Sequence, residues 1–204
     1  MKDWTGNSNS IYKTIGASNH TDKEREQDDY YATDPIAVDK LLSVENVGST
    51  VWECAAGGGH LSERLRALGK KVYSTDLIDR GYLGLNGVMD FLTASAAPIE
   101  QDFDILTNPP YKYAKEFVLK ALELLHTGCR CYMFLKLTFL EGKARFNELF
   151  KEFPPQSVYV FSERVLCAKN ARFDEMRAGG GSAICYAWFV WEKGKNGVTT
   201  LQWL

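Results

Sequence analysis

Thr50-Val51-Trp52-Glu53-Cys54-Ala55-Ala56-Gly57-Gly58-Gly59-His60 is the stretch on which the fold turns. Its first five residues are apolar or β-branched around one acid and read as a short buried strand. Three glycines follow, allowing a tight turn, close approach of a ligand to backbone, and close helix packing. His60 to Leu68 then carries helical spacing and is stopped by Gly69. A lone glycine-rich turn says little, but a strand before it and a helix after it are the context that gives it meaning.

Working outward, the same alternation continues. Upstream, Pro35 to Leu42 reads as a helix, with Asp34 as N-cap and Pro35 at the first helical position. Downstream, Lys71 to Thr75 is a strand that ends at Asp76, and Asp104 to Thr107 is another. Tyr113 to Leu125 is an amphipathic helix with Phe117, Ala121, Leu124 and Leu125 on one face. Cys129 to Leu135 is strand-like, and Lys143 to Phe153 is a helix stopped by Pro154-Pro155. Ser157 to Phe161 and Ala183 to Trp191 are further strands with no clear helix between them, which predicts an antiparallel pair at one edge. Strands alternating with helices across short turns predict a doubly wound α/β sheet. Residues 1–29 are polar, include the charged run Asp22-Lys23-Glu24-Arg25-Glu26, and are expected to form a mobile tail or a segment ordered only by ligand.

The turn also limits the ligand. Asp76 ends the next strand about twenty residues on, where a carboxylate accepts hydrogen bonds from ribose hydroxyls. That pattern suits a nicotinamide dinucleotide as well as other nucleoside cofactors. Two details disfavour the dinucleotide. The first strand ends in Glu53, and no Gly-x-Gly-x-x-Gly follows, since His60, Leu61 and Ser62 come after Gly59. An acid beside the turn repels a pyrophosphate and suits a ligand with a cationic amino-acid end, as on a sulfonium cofactor. Alone, Asp76 would serve equally as a strand-end cap.

The second motif is Asn108-Pro109-Pro110-Tyr111, at the carboxyl end of Phe103-Asp104-Ile105-Leu106-Thr107. The first proline donates no hydrogen bond, and the two fix φ in succession. The Asn side-chain oxygen and nearby main-chain carbonyls can then converge on one spot, which suits a planar amino group with two hydrogens to donate. Tyr111 offers a flat face for a ring. Isolated, the tetrapeptide could be an ordinary proline turn; its place after the glycine turn gives it weight.

The chain has 204 residues, enough for one domain with a sizeable core. A hydrophobic share of 45% and a charged share of 25% are ordinary for a soluble globular protein. No apolar run reaches bilayer length and no signal-peptide pattern opens the chain, so a cytoplasmic protein without membrane contact is expected. Cys54, Cys129, Cys131, Cys167 and Cys185 form no disulfide or zinc framework and read as small hydrophobes in a reducing compartment. A net charge of −2 gives no global attraction for nucleic acid, so such binding requires a local basic patch. Lys112, Lys115, Lys136, Lys143 and Arg145 could surround the mouth of the site. Arg164, Lys169, Arg172 and Arg177, with Phe173 interleaved, lead into Gly179-Gly180-Gly181 and read as a mobile basic loop or as a plain surface excursion. His20, His60 and His126 sit in no nucleophile–base pattern.

The glycine turn and the Asn-Pro-Pro-Tyr motif together resemble class I S-adenosylmethionine-dependent methyltransferases, and within them the adenine-N6 DNA methyltransferases, especially small forms found in phages and prophages. The resemblance covers roughly Tyr30 to Trp191. It implies a Rossmann-like, doubly wound, mostly parallel seven-stranded sheet with an antiparallel edge strand, as a single domain over residues 30–204. It implies S-adenosyl-L-methionine as cofactor, no metal, and DNA as partner. Tyr30-Tyr31-Ala32-Thr33-Asp34-Pro35 looks like the segment that covers the cofactor's methionine end, through Tyr31 and Thr33, although most relatives lack the intervening Asp34. Glu53, Ala55, Gly57 and Gly59 match the cofactor turn, Asp76 its ribose contact, and Leu77 beside it a further cofactor-binding position. Asp90-Phe91 matches the position where an Asp touches the adenine amino group and an aromatic packs on the ring. Asn108 would border both cofactor and substrate, with Pro110, Tyr111, Lys112 and Arg172 on the substrate side.

The chemistry expected of such a site is specific. An adenine amino nitrogen is a poor nucleophile because its lone pair is delocalised into the ring. Acceptors at Asn108 and at the Pro109 carbonyl would hold its two hydrogens and stabilise the positive charge that develops on nitrogen. They would also aim it at the donor methyl. Tyr111 would stack on the base, which must be flipped out if the substrate is a duplex. An RNA adenine or a protein glutamine amide presents a similar amino group. A binding module that keeps the fold without catalysis is the alternative of a different class.

Overall fold

The computed structural model describes residues 31–169, 171–178 and 183–204, with the side chain of Lys169 excepted. The tail expected over residues 1–29, Tyr30 and Gly179-Gly180-Gly181 lie outside the described residues.

The chain runs β1 (Tyr31–Thr33), α1 (Ile36–Leu42), β2 (Thr50–Glu53), α2 (His60–Ala67), β3 (Lys71–Asp76), β4 (Gly87–Val88) and β5 (Asp104–Thr107). It continues through α3 (Ala114–Leu124), β6 (Arg130–Lys136), α4 (Lys143–Arg145), β7 (Ser157–Val160), β8 (Cys167–Lys169), α5 (Phe173–Ala178), β9 (Tyr186–Glu192) and β10 (Thr200–Trp203). Eight strands form one sheet in the order β10-β7-β9-β6-β5-β2-β3-β4. All its pairings are parallel except those of β9 with β6 and β7. The seven-stranded expectation with an antiparallel strand at the edge is therefore corrected on two points. Thr200–Trp203 adds an eighth strand, and the reversed strand lies inside the sheet. Here β9 is flanked by β6 and β7, both of which it completes. A separate ribbon pairs β1 with β8 antiparallel, Thr33 opposite Cys167.

Strand alternation feeds two cores, one on each face of the sheet. Val51, Leu106, Tyr132, Phe134 and Trp188 pack with Ala37, Val38 and Leu41 of α1 and with Leu61 and Leu65 of α2. Their neighbours Trp52, Ile105, Met133 and Phe189 point the other way and pack with Phe117, Val118 and Ala121 of α3. Each such fully buried aliphatic side chain stabilises the fold by about 1.5–3 kcal/mol. Asp34 Oδ1 accepts the Ile36 N–H at 3.2 Å, capping α1 from two residues before its first helical residue. The helix expected from Lys143 runs as a single α turn and then widens into a π turn over Phe146–Phe150. At the amino ends of the strands, Asp104 accepts the Gly48 and Arg130 N–H groups, and the Arg130 guanidinium bridges Glu45 and Glu192. That end is closed by its own ion pairs, which leaves the carboxyl ends for ligands.

Candidate active site

The sheet changes direction at β2. From it the chain moves to β3 and β4 on one side and to β5 and β6 on the other. In open α/β sheets ligands bind outside the carboxyl ends of strands at such a switch point. The glycine turn follows β2 and Asn108 follows β5, so the two sequence motifs flank it.

Gly57 and Gly59 adopt φ of +54° and +80°, a region that penalises any side chain. Gly59 has a second constraint, because a Cβ there would meet the Tyr82 ring at 2.3 Å. Tyr82 is itself held by a hydrogen bond from its hydroxyl to Glu63 Oε1 at 2.6 Å and by Arg66. This loop after β3 takes the place of a helix and closes onto the start of α2.

Asp76 is nearly buried and serves two backbone donors, Gly57 N–H at 2.7 Å and Ile78 N–H at 3.0 Å. One lone pair remains on each oxygen. Leu77 beside it is 62% exposed, an apolar side chain left without cover. Ala55 is half-buried in the turn. Glu53 is turned inward, where its carboxyl meets the Ser62 hydroxyl, itself 2.6 Å from that of Ser74. Burial pushes the Glu53 pKa up to about 8, against the Ser62 hydrogen bonds that pull it down. Its carboxyl therefore acts from beneath the turn.

The pair Asp90-Phe91 divides between two tasks. Asp90 is exposed, and its carboxylate caps the short turn after it by accepting the Leu92 N–H at 3.0 Å. Phe91 is 2% exposed, with its ring 5.2 Å from Trp52 and 5.0 Å from Phe117. The Phe91 ring is thus packed in the core, while Leu77 and Val88 are left exposed at the ends of β3 and β4.

Around Asn108 the ribbon of β1 and β8 assembles a polar cage. Asn108 Nδ2 donates to the Tyr31 carbonyl at 3.2 Å, to Thr33 Oγ1 at 2.9 Å and toward Cys167 Sγ at 3.4 Å. Asn108 Oδ1 is buried and has no partner. The Tyr111 hydroxyl also lies 3.4 Å from Cys167 Sγ. Burial raises the pKa of both groups above their ordinary values, so thiol and phenol stay neutral at physiological pH. Lys136 Nζ sits 4.9 Å above the Tyr111 ring, within cation–π range. Pro109 is buried, while Pro110 and Lys112 are exposed.

Cys167 was missed as a site residue. Its only sequence signal is a strand-like context, and its pairing with Thr33 spans most of the chain. Other expected residues lie elsewhere. Lys115 pairs with Glu116 and Glu148, and Arg145 is bound to the Phe139 and Thr138 carbonyls. Arg177 joins Asp174 and Asp34, and Arg164 donates to the Ala183 carbonyl. Arg172 is exposed and lies 3.5 Å from Glu175. The Phe173 ring of α5 meets the His60 ring edge-on at 5.8 Å, which brings this excursion to the glycine turn. Among the described residues, no cluster of His, Cys, Asp and Glu could hold a metal, and no helix is long and apolar enough to cross a membrane.

No family model matches the chain, and no curated protein does. Solved structures do. Burkholderia thailandensis 1,6-didemethyltoxoflavin-N1-methyltransferase, with bound S-adenosylhomocysteine, shares 13% identity at a TM-score of 0.52, over 96% of this chain and 94% of its own. Two more are described as putative: a class I S-adenosylmethionine-dependent methyltransferase from Listeria monocytogenes and an RNA methyltransferase from Pyrococcus horikoshii. The Listeria protein gives 12% identity and a TM-score of 0.52, over 83% of this chain and 63% of that one. The Pyrococcus protein gives 16% and 0.51, over 78% and 83%. With its parallel sheet, its switch point at β2 and the reversed β9, this chain has the α/β fold of the class I methyltransferases.

Proposed function

We propose that the protein transfers a methyl group from S-adenosylmethionine to an exocyclic amino group, with adenine N6 in DNA as the substrate. The observation that carries the reading is the Asn108 amide, whose NH2 is fully engaged while its oxygen is buried and bare. A buried acceptor without a donor costs about 1–3 kcal/mol, which a substrate NH2 would relieve.

The residues present fit the cofactor. The lone pairs left on Asp76 suit ribose hydroxyls, and Leu77 is open to a purine face. When bound, the cofactor supplies an electrophilic methyl on sulfur. Asn108 Oδ1 and the Pro109 carbonyl each accept one amino hydrogen, draw the nitrogen lone pair out of conjugation and aim it. The nitrogen would gain the methyl carbon as the carbon–sulfur bond breaks with its electron pair left on sulfur, and would afterwards release a proton to water. Tyr111 and Cys167 are neutral and take no part as bases. Tyr111 offers its ring to the base, which displaces the Lys136 ammonium toward a phosphate; Lys112, over the Tyr113 ring, and Arg172, beside Glu175, are exposed for the same purpose.

The test is transfer of labelled methyl from S-adenosylmethionine to DNA, RNA and a glutamine-containing peptide in parallel, followed by nucleoside and residue analysis. Label on N6-methyladenine from DNA is expected. Label confined to RNA adenine or to glutamine redirects the substrate, label on cytosine refutes the base, and a failure to bind cofactor refutes the enzyme.

A further inference from the structure

We infer that Thr33 is a positioning residue for Asn108, fixing which end of its amide faces the substrate and so restricting the site to groups that donate hydrogen bonds. The inference rests on the amino-group reading above. The two ends of an Asn amide are nearly the same size but opposite in hydrogen-bond sense. Turned over, Asn108 would present NH2 to the substrate position and would select a carbonyl instead of an amino group. Something must forbid that orientation, and Asn108 itself cannot.

Two atoms of β1 do so. The Tyr31 carbonyl can only accept, so the amide atom 3.2 Å away must be the nitrogen. Thr33 Oγ1 makes the shorter contact, 2.9 Å, and Thr33 is 2% exposed, so water cannot substitute for it. A hydroxyl can also donate, and an isolated Thr would accept either amide end. Beside it the Tyr31 carbonyl already requires the nitrogen end, so Thr33 Oγ1 accepts from the same NH2 and holds the amide in that orientation. Pairing of β1 with β8 holds Thr33 opposite Cys167, and Asn108 Nδ2 faces both. The ribbon therefore does more than cover a cofactor: it polarises the amide that reads the substrate.

Thr33→Val removes the oxygen at nearly constant volume, and Thr33→Ser restores it. The first measurement needs neither cofactor nor substrate. In ¹⁵N-labelled protein the Asn108 side-chain NH2 resonances are assigned by their loss in Asn108→Ala. In Thr33→Val they are expected to shift upfield and exchange faster with solvent, and in Thr33→Ser to return. The second measurement is kinetic: kcat falls about tenfold in Thr33→Val, as loss of one buried hydrogen bond predicts. The fall persists at saturating cofactor, so it lies beyond any change in cofactor affinity, and Thr33→Ser rescues kcat. Unchanged Asn108 resonances in Thr33→Val would overturn the inference. So would a loss of cofactor affinity that fully accounts for the loss of rate, or an equal defect in Thr33→Ser, which would make the role one of packing. Should no substrate accept a methyl, the functional reading fails while the resonances still decide the positioning.

Discussion

Asp76 Oδ2 accepts the Gly57 N–H at 2.7 Å, so the carboxylate ending β3 holds the turn that ends β2. Asp76→Asn keeps one acceptor oxygen for two backbone donors, Gly57 and Ile78. One N–H then faces an NH2, a loss of about 1–3 kcal/mol. Denaturant unfolding should report that loss, and calorimetric titration should show S-adenosylmethionine binding weakened by about tenfold or more. Unaltered affinity would remove Asp76 from the cofactor site.

Asn108→Ala deletes the bare oxygen and leaves the ribbon's acceptors without their donor. Turnover should fall by about 10²–10³, the scale on which single preorganised polar groups act on a developing charge. Cofactor affinity should remain within a few fold, because the group acts on the nucleophile. Retained turnover in a methyl-transfer assay, or lost cofactor binding, contradicts the assignment.

Glu53 has a native pKa near 8 against 4.5 for the free side chain, chiefly through burial. Between these values the unfolded chain gives up a proton that the native state keeps. The stability this group contributes is therefore complete below about pH 4.5 and is lost as pH rises through about 8, a change on the order of a few kcal/mol. Glu53→Gln, neutral throughout, should flatten the fall in melting temperature between pH 5 and 9. Parallel curves for the two proteins would show that the carboxyl is ionised in the fold.

Gly59 and Gly69 share nearly the same positive φ, +80° and +82°, but only Gly59 has a neighbour, the Tyr82 ring. Gly69→Ala should cost about 1–2 kcal/mol from the backbone alone. Gly59→Ala should cost more, and a double-mutant cycle with Tyr82→Ala should return the excess as a coupling term. Equal costs at the two glycines would mean that Tyr82 moves aside freely.

The sheet was readable because its signals are local. Thr50–Glu53, Lys71–Asp76 and Asp104–Thr107 are continuous apolar or β-branched runs punctuated by glycine, acid or proline. The ribbon was not, because Tyr31–Thr33 and Cys167–Lys169 are three residues each and find one another only in three dimensions. Thr200–Trp203 escaped notice for the opposite reason. It lies at the sheet's border with all four residues exposed, so it lacks the alternation that marks a strand with a buried face. At the site, Asn108, Asp76 and the glycines announced themselves by type and place. For Phe91 the sequence does not tell a ring that meets a ligand from one that packs on Trp52, as it does here. Cys167 carried no mark, since a buried thiol in an apolar strand is usually a small hydrophobe.

The ribbon has a further consequence for biosynthesis. Residues 31–33 leave the ribosome early, but the partner strand that holds them emerges some hundred and thirty residues later, after β7 and before β9. Until then Asn108 has no fixed amide, and a nascent chain carries its glycine turn and proline corner without a working reader. The Asn108 amide is thus held only once residues 167–169 have been made.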